Sequence, residues 1–396
     1  MNALDQIFVS TGQWVTGLAP APMRPYVAMA LAIAGLMAVF GTCFAVATIF
    51  ERKILGRMQN RFGPNRVGPF GLLQPIADGV KMLIKEDIVP FSADRVVHFL
   101  APLALTVPVW LAFAVLPFGR NMSAIDLNAG LLFFFAIGSA SELAVFMAGW
   151  SSQNKYALLG AMRAIAQMIS YEVPLVLAAI PVVMAAGSLS LPDIVQAQSG
   201  TVLGALPRWN VITPWGLAGF ALFLIAAAAE SNRCPFDLPE GESELIAGFL
   251  TEYSGFKYAL FFLGEYLGLF AVTALAVTLF LGGWQAPLPA LEWFPSWGWF
   301  AVKFSALIFL FIWVRATLPR LRLDQLLSFA WKFLVPLALV NLVVALVWWQ
   351  SGAWRFPAAL ELRWLLGAGL LALAYGWLGR ALKSGKPVQH QYSYAE

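Results

Sequence analysis

Long apolar runs alternate with short polar segments along this chain, at residues 26–50, 96–118, 130–150, 164–186, 211–229, 258–284, 297–314 and 329–349. A helix rises 1.5 Å per residue, so about 20 apolar residues cross the hydrocarbon of a bilayer, and these eight runs predict eight membrane spans. A ninth run at 356–378 has Glu361 and Arg363 near its start and is read as a further span. Between the first two runs, LLQPIADGVKMLIKED puts Leu72, Leu73, Ile76, Val80, Leu83 and Ile84 on one helical face, with Asp78, Lys81 and Lys85 elsewhere. Pro75 suits a first helical turn. This segment is too short and too charged to span, so it predicts an amphipathic helix at the membrane interface.

Composition agrees with the pattern. The chain is 60% hydrophobic and 12% charged, whereas soluble domains carry about 25% charged residues. The expected fold is therefore all-α, a polytopic transmembrane helical bundle. Residues 1–396 read as one integral membrane domain with a core at 26–349, the ninth span at 356–378 and a polar, disordered tail at 384–396. The N-terminus has no basic stretch ahead of an apolar one, so the first span is expected to be retained rather than cleaved. Taken with the N-terminus outward, the inside segments hold 19 of the 25 Lys and Arg, an asymmetry that sets orientation. The net charge of +4 then reflects loop topology and not a nucleic-acid face. The 16 Trp residues, several at span ends such as Trp284, Trp297, Trp348 and Trp349, read as interface belts.

Cys43, Cys234, His98 and His390 are too few and too scattered for a four-ligand metal site, and the two cysteines are expected to be unpaired. The segment ERKILGRMQNRFGPNRVGPFG is rich in arginine and turn residues, but it lacks the Gly-Lys-Ser/Thr ending and adjoining strand of a phosphate loop. No internal repeat of the kind found in many transporters is visible.

The costly residues are acidic. Glu142, Glu172 and Glu265 fall inside apolar spans, where a charge costs about 2.5–3.5 kcal/mol on insertion scales, so they must face protein or water. The stretch ESNRCPFDLPEGESELIAGFLTEYSGFK adds Glu230, Asp237, Glu240, Glu242, Glu244 and Glu252. Carboxyls crowded at a membrane boundary titrate as a coupled set, which is what a proton path requires. The bland reading is a set of helix-packing hydrogen bonds, with Glu172 solvating backbone near Pro174. In VRATLPRLRLDQLL, Asp324 beside Arg320 and Arg322 reads as an ion-pair network as readily as a ligand site.

Three long motifs, ERKILGRMQNRFGPNRVGPFGLLQPIADGVKMLIKED, ESNRCPFDLPEGESELIAGFLTEYSGFKYALFFLGEY and VRATLPRLRLDQLLSFAWK, closely resemble the H subunit of bacterial respiratory complex I, NADH-quinone oxidoreductase, a family that includes mitochondrial NADH dehydrogenase subunit 1. The resemblance runs from about Tyr26 to Trp349 in order, and the ninth span lies beyond it. It implies a subunit of a proton-pumping NADH:quinone oxidoreductase, inactive alone, that forms much of the quinone chamber in a bacterial inner membrane. Quinone is then the substrate, reaching the chamber between the first span, the amphipathic helix and the sixth span. The chain itself would hold no cofactor, with FMN and iron–sulfur clusters on partner subunits. The implied partners are peripheral iron–sulfur and quinone-site subunits, small membrane subunits and antiporter-like subunits. By motif match, Arg52, Arg61, Asp78, Lys81, Phe262, Arg315, Arg320, Arg322 and Asp324 would line or support the chamber. Glu142, Glu172, Glu230, Asp237, Glu240, Glu242, Glu244, Glu252 and Glu265 would form the acidic path to the pumping subunits. A homologous component of a membrane-bound hydrogenase and a stand-alone proton-coupled transporter are the alternatives, and a purely structural anchor explains the buried acids least well.

Overall fold

The computed structural model describes residues 3–202, 206–233, 235–237, 247–353 and 359–383. Eight helices in it are long and apolar enough to cross a membrane, and a shorter one, Pro214–Glu230, occupies the place of the fifth predicted span. In chain order the spans are Arg24–Met58, Arg95–Ala114, Gly130–Ser151, Lys155–Ala186, Pro214–Glu230, Gly255–Phe280, Ser296–Thr317, Leu323–Gln350 and Ala359–Lys383. Strand structure among the described residues is one antiparallel pairing, Thr201–Val202 with Leu206–Pro207. An additional short helix, Ile7–Gly17, precedes the first span and packs against it.

The sixth span is the axis of the bundle. Its apolar window is 72% buried, against 6% for the first span, and it packs against the second, fifth and seventh spans and the inner stripe of the first. The fourth span lies along the fifth and eighth, and the second along the third. Phe40 of the first span stacks on Phe113 of the second at 3.9 Å and meets Phe304 of the seventh edge-on, so aromatic packing closes this side of the bundle.

Two spans depart from regular α-helix. The third is interrupted at Ser139, where the Glu142 N–H turns to Ser139 O (3.3 Å). The eighth contains a π-helical turn at Ala330–Leu334, with the Trp331 indole donating to Ser170 Oγ of the fourth span. At the opposite end, buried Lys303 donates to Leu281 O (2.7 Å), Gly283 O (2.9 Å) and Gln285 O (2.7 Å), and its ammonium sits 4.0 Å from the Trp209 ring centroid. These carbonyls follow the end of the sixth span, so the lysine acts as its cap.

The amphipathic helix forms over Gln74–Ile84 with proline in its first turn, as predicted. It packs against the first and sixth spans. The Phe70 backbone just before it takes φ 53°, and Gly71 at φ 75° would place a Cβ only 2.3 Å from Pro64 O, which demands glycine in this turn.

Candidate functional site

The first span does not stop at the charged motif but continues as helix through ERKILGRM to Met58. This continuation turns Glu51 inward, where it is 5% exposed. Three spans converge on its carboxylate. Arg315 from the end of the seventh span donates to Oε1, Arg233 from the turn after the fifth donates to the same oxygen at 3.3 Å, and the Tyr266 hydroxyl of the sixth donates to Oε2 at 2.6 Å. The Arg233 guanidinium also lies over the Tyr266 ring at 3.9 Å. Its Nε and Nη2 are buried without an acceptor among the described residues. Tyr266 continues an aromatic wall through Phe262 (4.8 Å) and Phe44 (5.3 Å). The result is a buried ion cluster at the head of an aromatic groove.

A second, more exposed cluster joins the first span to the amphipathic helix. Arg52 donates to Asp78 Oδ2 at 2.6 Å, Gln74 donates to Oδ1 at 3.0 Å, and Lys81 lies 3.7 Å away. Partial burial raises the Asp78 carboxyl, but the hydrogen bonds from Arg52 and Gln74 and the charges of Arg52 and Lys81 outweigh it and hold the group below its ordinary value. Lys53 donates to Phe70 O (2.5 Å), fastening the turn that leads into the helix.

The remaining basic residues picked out in the sequence sit differently. Arg61 is exposed and donates to Gln59. Arg322 and Asp324 are 3.5 Å apart with side chains 79% and 71% exposed, and Arg320 is exposed beside them. Solvent-exposed pairs of this kind contribute little. The segment is nonetheless tethered, because Leu321 N–H donates to Pro235 O (3.1 Å).

Three of the acids meet deeper in the bundle. Glu142 in the third span and Glu172 in the fourth lie side by side, and Ser139 at the break in the third span donates to Glu172 Oε1 at 2.5 Å. Glu230, the last residue of the fifth span, faces Glu172 and Glu142 electrostatically, and its Oε2 is buried without a hydrogen-bond partner among the described residues. A small cavity of about 70 Å³ lies here, lined by Glu230, Glu265, Asn232, Ser141, Met168 and Gly138. A Cβ at Gly138 would meet Glu230 Oε1 at 3.7 Å, an ordinary contact, so Gly138 marks the cavity wall next to this carboxyl.

Glu252 stands apart, accepting from Asn154 Nδ2 (2.7 Å) at the start of the fourth span. Asp237 is half-buried in the turn beyond the fifth span. Glu240, Glu242 and Glu244 lie outside the described residues, as do Cys234, His390 and the polar tail. Cys43 is a free, half-buried thiol.

The sequence pattern singled out neither Glu51 nor Arg233, which the structure places at the centre of the buried ion cluster. The available signal for Glu51 was its position in helical continuity with an apolar span, one residue before Arg52.

The structure is that of a polytopic helical membrane protein with a buried acid–arginine cluster beside an aromatic groove and with clustered intramembrane carboxyls. The sequence pattern of the NADH dehydrogenase family matches residues 31–346. The H subunit of NADH-quinone oxidoreductase from Dehalococcoides mccartyi (strain CBDB1) is 54% identical over 78% of this chain and 84% of its own length. The corresponding H subunits from Brevibacillus brevis and Geobacillus kaustophilus are 49% and 51% identical, covering 79% and 81% of this chain and 90% and 93% of their own. The chain belongs to the NADH dehydrogenase family, among the H subunits of NADH-quinone oxidoreductase.

Proposed function

We propose that this chain receives a long-tailed quinone within a larger NADH:quinone oxidoreductase and passes the consequence of its reduction to proton-translocating partners. One observation carries the reading. Glu230 lies in the acid cavity and Arg233 in the ion cluster, and only Ser231 and Asn232 separate them. Movement of Arg233 when charge changes beside Glu51 therefore reaches Glu230 through a single turn of backbone.

In this reading the quinone tail enters between the first span, the amphipathic helix and the sixth span, along Phe44, Phe262 and Tyr266. Its head approaches the Glu51–Arg233–Arg315 cluster, while Arg52, Asp78 and Lys81 hold the amphipathic helix in place. The exposed Arg61, Arg320, Arg322 and Asp324 form a charged rim for the peripheral arm. Glu142, Glu172, Glu230 and Glu265, extended by Asp237, Glu240, Glu242, Glu244 and Glu252, carry the proton-linked response toward the antiporter-like subunits. Flavin and iron–sulfur clusters belong to the partners, as do the groups that protonate the reduced quinone directly. The location is a bacterial inner membrane, with the N-terminus outward and the charged loops cytoplasmic.

The test is Arg315→Ala in the assembled complex. Quinone reductase activity should fall while NADH oxidation by a water-soluble artificial acceptor persists. Equal loss of both activities at normal complex content would remove the arginine from the quinone site.

A further inference from the structure

We infer that Gln167 is the positioning residue for the corner that joins the acid cavity to the ion cluster, an inference that rests on the function proposed above. The fifth span ends in a Schellman turn, in which Arg233 N–H donates to Ala228 O (3.1 Å) and Asn232 N–H to Ala229 O (3.3 Å), with Asn232 at φ 50°. Glycine is the usual residue in that left-handed position, because a Cβ there is strained. Asparagine holds the conformation when its amide is engaged locally.

Gln167 supplies that engagement from the fourth span. It is fully buried, and its Nε2 donates to Ala229 O (2.7 Å), Asn232 Oδ1 (3.2 Å) and Phe236 O (2.7 Å). The three acceptors lie before, within and after the turn, and two N–H hydrogens are shared among them. Glu230 leaves this corner toward Glu142 and Glu172, whereas Arg233 leaves it toward Glu51. One amide thus fixes the relative direction of two side chains that face different sites. Rotation of the turn breaks its bonds, so Gln167 sets how Arg233 and Glu230 move together.

The test uses membranes containing the complete complex and compares Gln167→Met, Gln167→Glu, Glu230→Gln and the double variant Gln167→Met with Glu230→Gln. Methionine keeps the approximate length but donates nothing, and an ionised glutamate presents acceptors to acceptors. Gln167→Met should assemble, keep its activity with an artificial acceptor and lose about tenfold in quinone-linked turnover, the factor set by roughly one lost buried hydrogen bond. The double variant should be no worse than Glu230→Gln alone, because both changes act on one step. Full turnover in Gln167→Met, multiplied losses in the double variant, or failure of both Gln167 variants to assemble would each overturn the positioning role and leave the proposed function standing. Full turnover and pumping in Glu230→Gln would instead overturn the acidic path itself, and the inference with it.

Discussion

Replacing Glu51 by Gln tests the ion cluster most directly. The amide preserves shape and still accepts from Tyr266, but it leaves two guanidinium groups without their shared counter-charge, and arginine cannot shed its proton. Arg233 has an 11% exposed side chain and has little water to turn to, whereas Arg315, at 34%, can reorient partly into solvent. Removing one partner of a buried ion pair costs about 3–5 kcal/mol, and the exposure of Arg315 places this case near the lower end, at about 3 kcal/mol. At about 1.4 kcal/mol per decade, that cost lowers the population of the native arrangement roughly a hundredfold relative to its opened alternative. The assay is thermal inactivation of quinone reductase in membranes, followed beside artificial-acceptor activity as a measure of complex content. Quinone-linked activity should be lost several degrees earlier and begin lower, with acceptor activity retained. An unchanged inactivation midpoint together with unchanged quinone turnover would show that the cluster neither holds the four spans together nor serves the proposed quinone site.

Asp78→Asn should remove an acid-sensitive component of that stability. A carboxyl held below its ordinary value stabilises the fold above the unfolded value of about 4, and this contribution disappears as pH falls through the depressed one. Wild-type but not Asp78→Asn membranes should therefore lose quinone-linked stability across that low-pH window, and parallel acid profiles would refute the assignment. A photoreactive quinone labelled on its tail should crosslink within Gln74–Ile84 or near Phe262; labelling confined to residues 187–214 would exclude access at the amphipathic helix. Lys303→Met should lower the thermal midpoint of the detergent-solubilised complex through the loss of about 2–3 kcal/mol of charge-assisted hydrogen bonding, and an unchanged midpoint would mean that the carbonyls at the end of the sixth span find other donors.

The spans were legible because each must satisfy the bilayer by itself. Eighteen or more apolar residues have one economical outcome in hydrocarbon, an internally bonded helix, and no tertiary contact is needed to decide it. Their ends were less legible for the same reason. The first span extends past its apolar run to Met58 and the fourth begins at Lys155, because a helix continues into the polar boundary wherever its charged side chains find partners. In GLLFFFAIGSASELAVF the Gly138–Ser139 pair is a weak signal of the interruption, because such pairs can kink a helix, and what makes it matter, the bond from Ser139 to Glu172 in another span, is not written in the run itself.

The same division applies to the site. Intramembrane Glu142, Glu172 and Glu265 drew notice because hydrocarbon makes isolated charge expensive, and the structure brings the first two beside Glu230 and sets Glu265 in the wall of the same cavity. Glu51 escaped notice because an acid next to Arg52 and Lys53 at a span end has a cheap local explanation in headgroups and neighbours. Its actual partners, Arg233 and Arg315, lie 182 and 264 residues away. Separation of that size is set by how spans pack, which hydropathy does not encode. What distinguishes Glu51 from its neighbours is rotation about the helix: at 100° per residue, Glu51 and Arg52 must point in different directions, so one can enter the bundle while the other meets Asp78 at its edge. An acid and a base adjacent in sequence on a helix are therefore poor partners for each other, and each had to be assigned a partner elsewhere in the fold.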